Sequence, residues 1–572
     1  MTSRRDFIKT VAVIPPGLFF GRCWAANPDP SRLALIIGNS AYRDAPLLNP
    51  VNDARAFTHL CTQAGLTVDS QLNASRTNMM AAIERFGAAV KRSETRQAVF
   101  YYAGHGAQLD WRNYLLPVDA VVEKQEHMKQ RCVDLTLLLG QLSAAKDKTF
   151  IVILDACRNN PFGRSYRPEQ KGLSQFDAPV GSLIAYATAP GNVASDGTGE
   201  NGLYTENLVR ELSQRAARIE DALKRVRLNV RLASRGEQIP WETTSLEGDV
   251  FLFNEGQKKL SEAELEKQVE TDINEWTRIK SSNKADDWVG YLRTFPNGRF
   301  AEIAQMRLTR LLAESEKPRP SPTSPASMAA SPVQALPSTP AASSAQAAAP
   351  KPEPAAVSAL TSDTPAIDIR AGVAMPMLIA PSANPFSAGH YPLGRIYTPG
   401  DEATFRQTDI LTGLEEQTFT MSVTRVDHDE DRVEFNKGNW ITDLMGNFIK
   451  FGDRQFNTPV QLAPSEFQIG KKWNAAFNGI VNGIRSNGYY DLQIVKRETI
   501  SVPAGSFDTF RIEGEGWSIS TGSRLEVRLW LVPGLNFSIR YESIGRNRYG
   551  RLFRTERLDL VSLRQHNSIQ PV

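Results

Sequence analysis

The sequence predicts an α/β domain with a mostly parallel sheet flanked by helices, then a small helical unit, a disordered Pro/Ala/Ser linker and an all-β C-terminal domain. Three observations carry this prediction. Up to about residue 250, continuous apolar runs alternate with amphipathic stretches, the pattern of strands buried on both faces under helices. Residues 318–365 are dominated by Pro, Ala and Ser and cannot bury enough apolar surface to fold. Beyond about Ile367, apolar and polar residues alternate in short runs, as in half-exposed strands. At 572 residues the chain is too long for one core.

The first strand is Leu33–Asn39, followed by a helix over Val51–Ala64 and a strand over Leu66–Leu72. From Thr77 to about Lys91, Met80, Ile83, Phe86 and Val90 recur at helical spacing. Two strands follow, Val99–Gly106 and Ile151–Arg158, with a crossover helix near Leu135–Ser143 between them. A fifth strand is expected at Ser182–Ala187, and helices at Thr205–Ser213 and Glu220–Leu232.

The two middle strands carry the chemistry. Each apolar run stops at one reactive side chain, His105 in V-F-Y-Y-A-G-H-G and Cys157 in I-V-I-L-D-A-C-R. Side by side, they bring both residues to the carboxyl edge of a sheet, where open α/β folds place their sites. An imidazole beside a thiol keeps the sulfur as thiolate, the minimum requirement for attack on a carbonyl. Gly104 and Gly106 flank His105, and glycines allow a sharp turn and a close approach. Cys61 and Cys132 read instead as small buried hydrophobes.

The sequence Asp155-Ala156-Cys157-Arg158, with His105 about 50 residues upstream, resembles the caspase–metacaspase superfamily of cysteine peptidases, and most closely its bacterial metacaspase-like branch. The resemblance covers roughly Arg32–Phe253. It includes L-A-L-I-I-G-N at Leu33–Asn39, L-N-P-V-N-D-A at Leu48–Ala54, Ser182–Thr188 and Gly202-Leu203-Tyr204-Thr205. It implies a caspase-like fold and a Cys157–His105 dyad, with the Gly106 and Cys157 amides as oxyanion donors. Asp155 stands where caspases have Gln, and Asn159 where they have Gly, which argues against cleavage after aspartate.

A pocket for Arg or Lys needs carboxylates to replace lost water. By resemblance to arginine- and lysine-specific metacaspases and paracaspases, Asp53, Asp155 and Asp196 are the substrate-binding candidates. The ordinary alternatives are a helix cap for Asp53, a strand-end hydrogen-bonding residue for Asp155 and a turn residue for Asp196. The resemblance also aligns the basic loop after Cys157 with a cleavable inter-subunit loop, making Arg164, Arg167 and Lys171 candidate self-processing sites. The expected function is an exported cysteine endopeptidase cutting proteins or peptides after Arg or Lys. The alternatives are a gingipain- or legumain-like peptidase of the same clan, and a catalytically inactive caspase-like interaction protein.

The N-terminus carries Ser3-Arg4-Arg5-Asp6-Phe7 and then a short apolar stretch through Phe20, a twin-arginine export pattern. Pro15, Pro16 and Gly17 interrupt it, so no transmembrane segment is expected in the mature chain. The expected location is periplasmic or secreted. A formal net charge of +3 with evenly balanced charges excludes nucleic acid as a bulk electrostatic partner.

The expected domains are 1–26 (signal peptide), 32–253 (peptidase), 258–317 (helical hairpin unit), 318–365 (linker) and 366–565 (β-rich, ligand unread). In the helical unit, Ile273, Trp276 and Ile279, then Trp288, Tyr291 and Leu292, then Ile303, Met306, Leu308 and Leu311 repeat at helical spacings. Protein or envelope partners are expected through that unit and the β domain. The β domain reads as a sandwich or open barrel, with strands such as Thr418–Val426, Tyr489–Glu498 and Arg524–Leu531. Asp427-His428-Asp429-Glu430-Asp431 lacks EF-hand spacing and reads as a solvated hairpin turn. No metal ligands or cofactors are assigned; metacaspases often depend on calcium, but no motif here demands it.

Overall fold

The computed structural model describes residues 28–145, 147–157, 162, 172–189, 199–253, 262–315, 367–370, 384–481 and 483–566. The chain divides into two compact units, with boundaries near residues 173, 185, 219, 247 and 257. Asp196, Arg164, Arg167, Lys171, the export motif and the Pro/Ala/Ser stretch lie outside the described residues.

In the first unit, β1 (Asp29–Gly38), α1 (Pro50–Gln63), β2 (Leu66–Leu72), α2 (Arg76–Val90) and β3 (Gln97–Leu109) follow in order. After them come β4 (Arg112–Leu115), α3 (Gln125–Arg131), β5 (Val133–Asp134), α4 (Leu135–Ser143), β6 (Thr149–Cys157) and α5 (Leu203–Leu212). The parallel part of the sheet has the order β2-β1-β3-β6, and β4 and β5 extend β3 antiparallel. The step from β1 to β2 runs opposite to the step from β2 to β3. Right-handed crossovers therefore put α1 and α2 on opposite faces. Helix α5 joins α1, and α4 joins α2. Covered on both sides, β1 and β3 are buried along nearly their whole length. Phe57 of α1 stacks on Tyr101 of β3 with ring centroids 4.5 Å apart. Full burial of such a side chain contributes about 1.5–3 kcal/mol.

Local signals start the helices where the strands require it. Pro50 opens α1, where its missing N–H is no loss, and Asp53 places a negative charge in the first turn. The Ser75 hydroxyl caps α2 by accepting from the Asn78 N–H. The expectation that the histidine strand ends at His105 is corrected: β3 continues to Leu109 and turns back as β4. Its parallel pairing ends at Ala103 with β1 and at the histidine with β6, and the antiparallel partner begins with Gly106 opposite Leu115.

In the second unit, the strand Ser182–Tyr186 and α6 (Ile219–Ala233) match expectation closely. The helical unit has three helices rather than a hairpin, α7 (Glu262–Ile279), α8 (Ala285–Thr294) and α9 (Ala301–Ser315). Trp276 stacks on Phe300 at 4.7 Å, and Tyr291 donates to Asp272 at 2.6 Å. Twelve antiparallel strands between Glu402 and Gln565 then form a closed barrel. Glu402–Asp409 pairs with Glu415–Asp427 on one side and with Leu552–Gln565 on the other. This corrects the sandwich or open barrel: closure removes the two exposed edges that an open sheet must protect. Glu302 of α9 accepts from the Ser465 N–H at 3.0 Å and the Lys471 ammonium at 2.8 Å. No helix among the described residues is long and apolar enough to cross a membrane.

The acidic run 427–431 forms the expected hairpin turn, with Asp427 accepting from the Asp429 and Glu430 N–H groups. Asp431 departs from the solvated reading. It is buried and takes an ion pair from Arg307 at 3.3 Å and the Leu444 N–H at 3.2 Å. Nearby Asp443 is fully buried, and burial, reinforced by Asp431, pushes its carboxyl up to about 7. A group whose folded pKa is raised favours the folded state at pH below its unfolded value, near 4, and that contribution is lost as pH rises through about 7. Denaturant titrations at pH 5 and pH 8 should therefore show lower stability at pH 8, by roughly 1.4 kcal/mol for each pH unit over which Asp443 alone titrates. Asp443→Asn should flatten that slope; an unchanged slope would contradict the assignment.

Candidate active site

The site is built at the carboxyl ends of β3 and β6. Seven apolar or small residues of each strand pair in register, Ala98 with Phe150 through Gly104 with Ala156, apart from Asp155 opposite Ala103. The next pair is His105 with Cys157. The two residues are thus adjacent across one parallel ladder, at the last position of β6.

Two tyrosines hold the His105 backbone. The His105 N–H donates to the Tyr42 hydroxyl at 3.0 Å, and the Tyr102 hydroxyl donates to the His105 carbonyl at 2.6 Å. The Tyr42 ring lies 4.5 Å from the imidazole. Both hydroxyls crowd Gly104, where an added Cβ would come within 2.6 Å of Tyr42 and 2.8 Å of Tyr102, at a φ of +151°. Glycine is therefore required here by close approach, not by the sharp turn expected from sequence, because the strand runs on. Gly106 follows in the ladder and packs against Ala156 and Leu173.

The imidazole is itself oriented. His105 Nε2 lies 2.7 Å from the Ala45 carbonyl, which can only accept, so Nε2 carries a proton. In the neutral ring Nδ1 is then the basic nitrogen. His105 is only 3% exposed, so this tautomer is held in a largely water-free setting.

The acids collect at the start of α5. Asp53 Oδ1 accepts from the Asn201 side chain and from the Gly202 N–H, both at 2.9 Å. Gly202 is the N-cap position of α5, so Asp53 caps a neighbouring helix while sitting in the first turn of its own. Asp155 Oδ2 accepts from the Thr205 hydroxyl at 2.6 Å, and the same hydroxyl lies 2.6 Å from that of Tyr101. A hydroxyl has one proton, and Thr205 gives its own to Asp155. Tyr101 must then donate to Thr205, which fixes the order Tyr101, Thr205, Asp155. Burial first, then the charges of Asp155 and Asp53, push the Tyr101 phenol well above its usual range. Both carboxylates therefore act on one buried hydroxyl.

Cys61 and Cys132 are buried free thiols, and burial pushes each up to about 12. Neither has thiolate character at neutral pH. The sequence reading assigned no role to Tyr42, Tyr102, Ala45 or Tyr101. Thr205 is marked in sequence only as part of G-L-Y-T. Tyrosines at alternating or terminal positions of an apolar run are the signal that could have drawn attention, since a buried hydroxyl needs a partner.

This combination of parallel sheet, paired His and Cys at its edge and acids at the next helix start belongs to a known class. Residues 31–251 match the caspase domain family, and this part of the chain is a caspase-like peptidase domain. In particular, it is similar to mucosa-associated lymphoid tissue lymphoma translocation protein 1 of Homo sapiens, 26% identical over 161 residues, 28% of this chain and 19% of that one. The Mus musculus homolog is also 26% identical over 161 residues, 18% of its length. The chain thus spans less than a fifth of the relatives it matches.

Tyr42→Phe removes the acceptor for the buried His105 N–H. The cost should be about 1–3 kcal/mol of first-unit stability, read by denaturant unfolding. An unchanged midpoint would show that the hydroxyl is not what holds this backbone.

Proposed function

We propose that the caspase-like domain is an exported cysteine endopeptidase that cleaves after Arg or Lys. Cys157 is the nucleophile and His105 its acid–base partner. The Gly106 and Cys157 amides receive the oxyanion, and Asp53, Asp155 and Asp196 receive the basic side chain. The observation that carries the reading is the register of His105 against Cys157, with the Asp155 carboxylate two residues before the cysteine and therefore on the same face of its strand.

The chemistry follows from these roles. The Cys157 thiolate adds to the peptide carbonyl carbon, and the electron pair moves onto oxygen, where backbone N–H groups stabilise it. The C–N bond breaks as His105 gives its Nδ1 proton to the leaving amine, which leaves a thioester. Water then attacks the thioester, with His105 Nδ1 taking its proton, and the acid product and the thiolate–imidazolium pair are released. The Nε2–Ala45 contact supports Nδ1 as the exchanging nitrogen.

The acidic pocket explains why a basic side chain would be chosen. A guanidinium leaving water needs carboxylates already held in place. Thr205 orients Asp155, and Asn201 and Gly202 orient Asp53. A carboxylate accepts about four hydrogen bonds, so an oriented acid can still bind a substrate cation.

Peptides with Arg, Lys or Asp before the scissile bond test the proposal on the full mature chain, with calcium present and absent. Turnover at Arg or Lys, abolished by Cys157→Ala, is expected. Asp155→Asn should lower kcat/KM for basic peptides about 10- to 100-fold, as the loss of one charge-assisted contact. Cleavage only after Asp would overturn the pocket, and silence on all three would favour a catalytically inactive interaction protein. Export is proposed from Ser3-Arg4-Arg5-Asp6-Phe7. Fractionation should find the precursor retained in the cytoplasm when Arg4 and Arg5 are replaced by Lys, and unchanged export would count against the twin-arginine route.

A further inference from the structure

The closed barrel encloses a cavity of about 520 Å³, within the range of sites that hold one small ligand. Phe405, Phe419, Phe435, Phe448 and Phe477 line its interior. A twelve-stranded barrel is wider than the eight-stranded kind that side chains alone can fill, and here rings narrow the lumen without filling it.

The two ends of the barrel differ. At one end, the turn at 427–431 and the segment around Ser465 and Lys471 are bound by Glu302, Arg307 and Arg310 of α9. At the other end are the hairpins that join Asp409 to Glu415, Val481 to Ile484, Ser518 to Ser523 and Arg546 to Leu552. Every large hydrophobic side chain exposed among the described residues of 402–566 lies in or beside these hairpins. They include Leu411, Ile484, Trp517, Ile519, Tyr549 and Phe553. Ile484 and Phe553 are exposed and also line the cavity, so the lumen opens through this apolar rim. Clustered exposed hydrophobics of this kind mark contact with an apolar partner or ligand.

Just inside the rim, Arg454 and Arg554 both line the cavity. Arg454 follows the turn after Phe451 and pairs with Val481; Arg554 pairs with Gly545. Neither guanidinium has an ion pair among the described residues. Their close neighbours are rings, Phe451 at 5.9 Å from Arg454 and Phe553 at 5.8 Å from Arg554. Burial lowers the Arg454 pKa, and the charge of Arg554 lowers it further, while Glu556 opposes both. Two cations therefore face one carboxylate in a partly desolvated mouth, where an unpaired charge is costly. Tyr490 and Tyr541 also line the cavity and feel both arginines.

We propose that the barrel lumen binds a single-chain amphiphile with an anionic headgroup. The chain lies among the phenylalanines, and the headgroup meets Arg454 and Arg554 behind the apolar rim. The inference does not rest on the peptidase reading.

The test uses the full mature chain and two probes, a fluorescent polyene fatty acid and its methyl ester. The acid should bind saturably at one site per chain and be displaced by oleate. The ester should bind at least about tenfold more weakly, because a bidentate guanidinium contact to a carboxylate is lost. This comparison needs no variant. Arg454→Gln with Arg554→Gln should weaken the acid about 10- to 100-fold and leave the ester unchanged, with barrel folding checked by thermal unfolding. Absence of saturable binding, or equal affinity for acid and ester, would overturn the proposal. A weakly bound free acid alongside strong binding to anionic vesicles would also overturn it, in favour of the rim as a membrane-docking surface alone.

Discussion

The parallel ladder between β3 and β6 is the constraint on which the candidate site depends. Parallel pairing leaves no freedom once the register is set, because a one-residue slip would turn every side chain to the other face. With Ala98 opposite Phe150, His105 must lie opposite Cys157. The apolar residues that drive the pairing are far from the chemistry, yet they decide where it happens. Strand β6 ends at Cys157, and the backbone partners of β3 change at the same level, from parallel before His105 to antiparallel after it.

Around that edge of the sheet, His105, Asp155 and Asp53 each have a neutral hydrogen-bond partner. A backbone carbonyl orients the imidazole, a threonine orients one acid, and an asparagine with a helix-starting amide orients the other. Such partners fix the orientation of a group. The second unit holds a cluster of another kind. Buried Glu302 and half-buried Lys471, Glu466 and Arg227 compensate one another as ions, and Lys471, His390 and Arg227 hold Glu466 well below the usual carboxylate range. Such a cluster is suited to fixing structure, since removing one partner strands another charge.

The two site strands were legible in sequence because a strand buried on both faces must be apolar throughout, which exposes any reactive residue at its end. Helix α2 was legible from the helical spacing of Met80, Ile83, Phe86 and Val90, whereas the start signals Pro50 and Ser75 of α1 and α2 were passed over. Tyr42, Tyr101 and Tyr102 were not, because a buried tyrosine looks like core until its hydroxyl partner is known. The barrel failed to show for a different reason. Alternation identifies strands and their inner faces, but closure depends on Glu402 meeting Arg564, some 160 residues away, and no local pattern encodes that. Asp431 resisted reading for the same reason, its partner Arg307 lying in the preceding helical unit.

The asymmetry of the barrel ends means that they are not equivalent entrances. With α9 bonded to loops of one end and the exposed apolar side chains gathered at the other, a guest in the lumen would come and go past that apolar rim. Its residence time would then be governed by the hairpins around that rim, and above all by the turn carrying Tyr549 next to Phe553. Changes there would alter how fast the lumen fills and empties while leaving untouched the affinity set by the rings and guanidinium groups deeper inside.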